Sequence, residues 1–340
     1  PTALEPDDLE RIMDAVRERF DFAEGAELAI ESDPRTLTPA MTRRIGALGF
    51  TRASFGVQEF DPAVQAAINR IQPPDMVRAC VDALREVGLS GINFDLIYGL
   101  PKQMVATLLR TIDLCAEMRP DRLALFGYAH VPWMAKKQRL IREDDLADGP
   151  GRLAQAEAAA AALADRGYQA IGLDHFALET DELSLAHRAG TLRRNFQGYT
   201  TDEAETLIGL GATAIGRTPS GHVQNIAETG AWARAVRSGV LPIARGHAFA
   251  GEDRLRADVI EALMCRGSVD LPDMARAHGA AAGWALSALA ELAPMIDDGF
   301  VRYDGTTLAL TEAGQPVMRV AAAAFDAYRS AAPARHSVAV

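Results

Sequence analysis

Ile92-Asn93-Phe94-Asp95-Leu96-Ile97-Tyr98-Gly99-Leu100-Pro101 reads as a short apolar strand carrying one acidic residue. An amphipathic helix over residues 74–87, stopped by Gly88, precedes it, and a second helix over 105–118 follows. The same alternation extends in both directions. Upstream, a helix over 7–20 presents Leu9, Ile12, Met13 and Val16 at helical spacing and leads to a strand at 27–31. Thr38 and Pro39 then open a helix as N-cap and first-turn proline, a strand follows at 51–57, and Asp61-Pro62 caps another helix. Downstream lies a strand at 122–128. Four strands separated by helices imply parallel βαβ units. Glu31, Gln58, Asp95 and Ala129 sit at or just beyond the C-terminal ends of those strands, where a β/α barrel assembles its active site.

The chain has 340 residues and a formal net charge of −11. It carries no dense Lys/Arg tract, which argues against nucleic acid as a partner. No apolar run approaches the roughly 20 residues of a membrane span and no leader pattern opens the chain, so the expectation is a cytoplasmic protein with no membrane partner. Cys80, Cys115 and Cys265 are too few and too scattered for a disulfide framework and read as small buried hydrophobes. Past the four strands, an alanine-rich helix spans 152–166 and a strand-like turn at 167–172 runs into Asp174-His175-Phe176. Helices are expected at 201–207 and 231–238, around Gly209-Leu210-Gly211. From residue 252 the chain reads as helical, with a late strand pair at 299–303 and 307–310 across Asp304-Gly305, resembling a winged-helix module. The expected division is a barrel and its extension over 1–250, a helical, winged-helix-like domain over 251–330, and a frayed tail at 331–340.

Seven phrases, taken in chain order, go further. They are Ile30-Glu31-Ser32-Asp33-Pro34-Arg35-Thr36, Phe55-Gly56-Val57-Gln58-Glu59-Phe60-Asp61-Pro62, Asn69-Arg70-Ile71-Gln72, Phe94-Asp95-Leu96-Ile97-Tyr98-Gly99-Leu100-Pro101, Tyr128-Ala129-His130-Val131-Pro132-Trp133, Asp174-His175-Phe176-Ala177 and Arg194-Asn195-Phe196-Gln197-Gly198-Tyr199-Thr200-Thr201. Together they resemble the oxygen-independent coproporphyrinogen III oxidases, radical S-adenosyl-L-methionine enzymes of haem biosynthesis, over residues 1 to about 328. The resemblance implies an α/β fold, a partial (β/α)6 radical SAM barrel truncated at its N-terminus by two strands, with a mainly helical C-terminal domain. It implies oxidative decarboxylation of coproporphyrinogen III propionates to vinyl groups, giving protoporphyrinogen IX, by a 5′-deoxyadenosyl radical. It also implies S-adenosyl-L-methionine and a 4Fe–4S cluster as cofactors, and an electron donor. The family's Cys-x-x-x-Cys-x-x-Cys motif is not among these residues, and no three of the present cysteines are spaced to replace it. The expectation is therefore a chain without metal ligands of its own and inactive without the cluster loop. The alternative is a cluster-free, non-catalytic porphyrin- or nucleoside-binding fragment or descendant.

The residues themselves suit that chemistry. Glu31 can accept hydrogen bonds from a ribose diol or an ammonium group, an ion pair with Arg35 being the bland alternative. Gln58, Arg70 and Asp95 combine an amide, a bidentate cation and an anion, the mixed set that S-adenosyl-L-methionine requires, with rim pairing as the alternative. By resemblance these four contact the cofactor, as do Ala129 and Ile215 through backbone and apolar atoms; composition alone selects neither of the last two. Tyr128, His130 and Trp133 form a polar-aromatic group suited either to a pocket or to structural packing. Arg188, Arg193 and Arg194 flank the 195–201 phrase and are candidates for the substrate propionates, the alternative being solvated surface charge. His175 after Asp174 is a candidate for proton transfer, or a structural histidine. Gly209-Leu210-Gly211 lacks the context of a dinucleotide loop; the resemblance implies a close-packing turn near Ile215.

Overall fold

The computed structural model describes residues 1–329; the expected frayed tail lies outside the described residues. Two compact units divide at Ser184/Leu185. The first contains α1 (Pro6–Arg17), β1 (Ala29–Ser32), α2 (Pro39–Ala47), β2 (Arg52–Gln58), α3 (Pro62–Ala67), α4 (Pro74–Glu86), β3 (Gly91–Tyr98), α5 (Val105–Met118), β4 (Arg122–Gly127), α6 (Gly149–Asp165), β5 (Tyr168–Ile171) and β6 (His175–Leu178). Its strands form one sheet in the order β1-β2-β3-β4-β6-β5. β1 to β4 run parallel, and β5 and β6 form an antiparallel ribbon against β4. The expected alternation of strand and helix is therefore present, with each of the four expected strands within two residues of its sequence-based position.

Side-chain alternation along these strands explains why the sheet has two different faces. Ile30, Ala53, Phe55, Val57, Ile92, Phe94, Leu96, Leu123 and Leu125 point one way and are buried in a single cluster with Ile45, Val81, Leu84, Leu108, Ile112 and Leu163 of the helices. Each fully buried Leu, Ile or Phe there contributes about 1.5–3 kcal/mol, and Phe55 and Phe94 meet edge to face at 6.2 Å. The opposite parity carries Glu31, Ser54, Gln58, Asn93, Asp95 and His175. The helices start where the chain says they should. Thr38 accepts from Met41 N, and Asp61 from Ala63 N and Val64 N, each ahead of a first-turn proline.

Helix α7 (Glu182–Ala189) contains the division. The second unit continues with β7 (Arg193–Asn195), β8 (Gly198–Thr200), β9 (Ile215–Thr218), β10 (Gly221–Asn225), α8 (Thr229–Arg237), β11 (Ile243–Ala248), α9 (Asp253–Arg266), β12 (Ser268–Asp270), α10 (Leu271–Ala277), α11 (Leu286–Asp297), β13 (Val301–Tyr303), β14 (Thr307–Leu310) and α12 (Met318–Ala323). Its strands make a β7-β8 hairpin, a β11-β10-β9 sheet and a β12-β14-β13 sheet. The expected strand pair across Asp304-Gly305 is β13 and β14, and the expected boundary after residue 250 falls inside this unit. No helix forms at 201–207, contrary to expectation. Asp202 Oδ1 accepts from Ala204 N at 2.8 Å and Thr200 Oγ1 from Asp202 N at 3.0 Å, local bonds that compete with a helical turn. Leu207 instead bridges to Arg217. Among the described residues no helix is long and apolar enough to cross a membrane.

Gly209 is needed for close approach, since a Cβ there would lie 2.7 Å from the carbonyl oxygen of Ile215. Gly209→Ala is expected to destabilise the second unit by about 1–3 kcal/mol, seen as a lower urea midpoint. An unchanged midpoint would show that the turn has room to spare.

Candidate functional site

The polar face of the first sheet brings together residues far apart in sequence. Register pairs Glu31 with Ser54, Gly56 with Asp95, Asp95 with Ala124 and Ala124 with His175. Glu31 and Ser54 are thus neighbours on β1 and β2, and two residues further along the sheet Asp95, the small Ala124 and His175 form a row across β3, β4 and β6. Ser54 Oγ donates to Asp95 Oδ2 at 3.4 Å, and His175 Nδ1 lies 2.8 Å from Asp174 Oδ1. Burial pushes the Asp95 carboxyl above the usual carboxylate range, offset in part by His175 and Ser54. Desolvation and the Asp95 charge do the same to Glu31. The alternative for Glu31, an ion pair with Arg35, is not formed; Arg35 NH2 lies 2.6 Å from Asp33 Oδ2, and its hydrogen bonds help hold the Asp33 carboxyl down at about 2.

Beside this row, Gln58 ends β2 in the left-handed region at φ 65°, after a register irregularity between Gly56 and Gln58. Such backbone costs of order 1–3 kcal/mol and persists only where its surroundings fix it. They do so here. Arg70 NH2 donates to Gly56 O at 2.7 Å, and Gln72 Nε2 donates to the same oxygen at 3.0 Å and also to Val57 O. A Cβ on Gly56 would stand 2.7 Å from Gln58 Nε2 and 3.1 Å from an Arg70 nitrogen, so a larger residue would push aside the ends of both side chains. Arg70 also approaches Asp33 at 3.7 Å. Beneath this loop lies Glu59, fully buried, which accepts from Phe60 N at 2.7 Å, Asp61 N at 3.0 Å, Gln103 Nε2 at 2.7 Å and the Thr111 hydroxyl.

At the end of β4, Ala129 is exposed and its carbonyl accepts from Gln138 Nε2 at 2.9 Å. Tyr128 and His130 meet with ring centroids 5.9 Å apart. Trp133, expected in the same group, has no ring contact among the described residues.

In the second unit a cavity of about 410 Å³ is lined by Arg193, Arg194, Asn195, Phe196, Ile215, Arg217, His222 and Glu261, among others. The β7-β8 hairpin forms its wall. Arg194 stacks over Tyr199 with 5.4 Å to the ring centroid, and Glu261 of α9 accepts from Arg194 N at 2.9 Å and pairs with Arg193 at 3.3 Å. Burial, Arg217 and His247 all lower the His222 pKa. Of the three arginines expected to meet propionates, Arg193 and Arg194 line this cavity and Arg188 is not among its lining residues. Ile215 lines it too, whereas the other five candidate cofactor residues all belong to the first unit.

The sequence reading overlooked Ser54, Gly56, Gln72, Glu59, Arg217 and His222. Gly56 carried a usable signal, because a glycine within a strand often marks close approach. Arg217 and His222 carried none, being ordinary residues of a short strand pair. Cys80, Cys115 and Cys265 are all buried and free, and burial raises each thiol, Cys265 to about 12. Thiols so disposed do not suit iron ligation, and no group of three His, Cys, Asp or Glu is placed to hold a metal among the described residues.

A family model described as the Radical SAM superfamily matches residues 1–115. The oxygen-independent coproporphyrinogen III oxidase of Bradyrhizobium diazoefficiens is 48% identical over the whole chain, which covers 76% of that protein. Its counterpart from Paracoccus denitrificans is 42% identical, again over the whole chain and 75% of the relative. Among solved structures, coproporphyrinogen III oxidase from Escherichia coli, described as a radical SAM enzyme, superposes with a TM-score of 0.93 at 37% identity, covering 97% of this chain and 76% of that one.

Proposed function

Because the chain belongs to the oxygen-independent coproporphyrinogen III oxidase family of the Radical SAM superfamily, we propose that it oxidatively decarboxylates propionate side chains of coproporphyrinogen III to vinyl groups in porphyrin biosynthesis. One observation carries the reading of the site. Two carboxylates, Glu31 and Asp95, share the strand-end face of the first sheet with no Arg or Lys partner among the described residues, and the donors Arg70 and Gln58 stand beside them. That set complements S-adenosyl-L-methionine group for group: carboxylates for its ammonium, sulfonium and ribose hydroxyls, a guanidinium and an amide for its carboxylate. Glu31, Gln58, Arg70, Asp95 and the backbone of Ala129 would hold the cofactor, which supplies the one-electron chemistry when bound. The protein's part is to hold and orient. Carboxylates without an Arg or Lys partner attract the cation, Arg70 fixes the bulge that aims Gln58, and the apolar core behind the sheet keeps these groups rigid. Cluster ligands are not found among the described residues, and the roles assigned to these side chains are confined to binding and orientation.

In the second unit, the arginine-lined cavity is proposed to receive substrate carboxylates, with Ile215 and Phe196 as its apolar wall. The non-catalytic alternative is not favoured by extensive similarity to proteins named as oxidases. The test joins these residues to the family's Cys-x-x-x-Cys-x-x-Cys segment, loads the cluster, and incubates the protein anaerobically with S-adenosyl-L-methionine, a one-electron reductant and coproporphyrinogen III. Vinyl-bearing product, identified by mass after oxidation to the porphyrin, is expected. A full cluster signal with no vinyl product would overturn the reading.

A further inference from the structure

Lysine is nearly absent from this chain. Of 35 basic residues only three are lysines, Lys102, Lys136 and Lys137, leaving 35 − 3 = 32 arginines. All three lie on the loops that leave the C-terminal ends of β3 and β4. The two loops are joined, since Lys102 N donates to Asp145 O at 2.7 Å. Lysine at this one place, in a chain that otherwise uses arginine, selects a compact ammonium on a flexible stem that can follow an anion, in place of a planar fork that fixes it.

Lys136 and Lys137 open the 3-10 turn Lys136–Leu140. Lys102, Lys136, Lys137 and Arg139 are exposed, and none has a carboxylate partner among the described residues. Interleaved with them, Trp133, Met134 and Leu140 are 41%, 77% and 88% exposed. The turn is nevertheless well bonded. Gln138 accepts from Val131 N at 2.6 Å and donates to Ala129 O at 2.9 Å, Met134 N and Ala135 N donate to Val131 O, and Arg139 Nε donates to Pro132 O at 3.1 Å. Large apolar side chains held outward between unpaired cations gain nothing within the unit itself; they match a ligand with an apolar body and an anionic edge. The exposed apolar side chains of this loop are Trp133, Met134 and Leu140, few beside the roughly 20–30 residues a side of a stable protein interface. A small molecule is the better occupant.

We propose that these two loops bind the substrate tetrapyrrole, with Lys102, Lys136, Lys137 and Arg139 meeting propionate carboxylates and Trp133, Met134 and Leu140 covering the ring. This assignment rests on the oxidase reading. It adds a cationic substrate clamp in the first unit, whose Lys136, Lys137 and Arg139 lie on the same loop as the proposed cofactor contact at Ala129.

Coproporphyrin III, the stable tetracarboxylate, serves as probe in fluorescence titrations of the full chain, with protoporphyrin IX as the dicarboxylate comparison. The triple variant Lys102→Gln, Lys136→Gln, Lys137→Gln is expected to bind coproporphyrin III at least about tenfold more weakly, from lost charge-assisted contacts. Protoporphyrin IX should lose less, and the thermal midpoint should stay put because the substituted side chains are exposed. Unchanged coproporphyrin affinity in the triple variant, or an equal loss for both porphyrins, would overturn the clamp while leaving the oxidase reading intact. Failure of the parent chain to bind coproporphyrin III at all would overturn the oxidase reading as well.

Discussion

Replacing Glu59 with alanine is expected to destabilise the first unit by on the order of 3 kcal/mol or more, and to abolish the geometry of Gln58 and Arg70 with it. Glu59 is fully buried and its carboxylate gathers donors from three segments: Phe60 N and Asp61 N in its own loop, Gln103 Nε2 after β3, and the Thr111 hydroxyl of α5. Phe60 N keeps Thr111 Oγ1 as a second acceptor and Gln103 keeps Ile97 O. Asp61 N and the Thr111 hydroxyl would lose their acceptor, at about 1–3 kcal/mol each, against a typical domain stability of about 5–15 kcal/mol. The carboxylate also holds the chain one residue past Gln58, whose left-handed backbone depends on its surroundings. Urea denaturation reads the stability, and calorimetry reads S-adenosyl-L-methionine binding. Glu59→Gln should lie between, since its amide keeps one acceptor but opposes the Gln103 amide. A Glu59→Ala chain with a parental midpoint would show that water replaces the carboxylate there.

The contrast between Glu59 and its neighbours shows what the chain reveals unaided. Strand and helix order in the first unit was legible because apolar periodicity changes from 2 to 3.6 at recognisable caps: Thr38, Asp61, Gly88. The polar row was half legible. Glu31 and Asp95 stand out as acids in apolar strands, yet their mutual proximity depends on parallel register, which no local pattern encodes. Glu59 looked like any loop acid, because burial of a carboxylate is decided by donors up to 52 residues away. In the second unit local signals misled. Thr201 to Leu207 has helical composition, but Thr200 and Asp202 offer side-chain acceptors that draw the backbone into turns, and Leu207 is claimed by Arg217 of β9. Ile215 became a candidate only through family resemblance; its position in the cavity wall follows from β9 pairing with β10, a contact without a sequence signature.

Asp95→Asn should weaken S-adenosyl-L-methionine binding by roughly 10- to 150-fold, from the loss of a charged hydrogen-bond partner, while leaving the unliganded chain more stable at neutral pH. Both outcomes follow from one electrostatic fact. Asp95 and Glu31 have folded-state pKa values raised above 3.8 and 4.5, Asp95 chiefly by burial and Glu31 by burial and by the Asp95 charge. A carboxyl whose pKa is raised on folding binds more protons in the native state, so its stabilising contribution is present at acid pH and lost as pH rises through the folded value. Above that window the two anions repel across Ser54, and neutral asparagine removes the repulsion. A cationic ligand reverses the balance by favouring the ionised pair, so binding should tighten as pH rises through the raised folded-state values of the two carboxyls and should release protons. Calorimetry in buffers of different ionisation enthalpy measures that release, which should be smaller in Asp95→Asn. Thermal melts at about pH 4 and about pH 7 complete the test: the variant should gain stability at neutral pH and little at the acid one. Parental affinity in Asp95→Asn would remove Asp95 from the cofactor site and leave the raised carboxyls as a structural feature of the sheet, whereas a lower melting midpoint at neutral pH would overturn the repulsion between them.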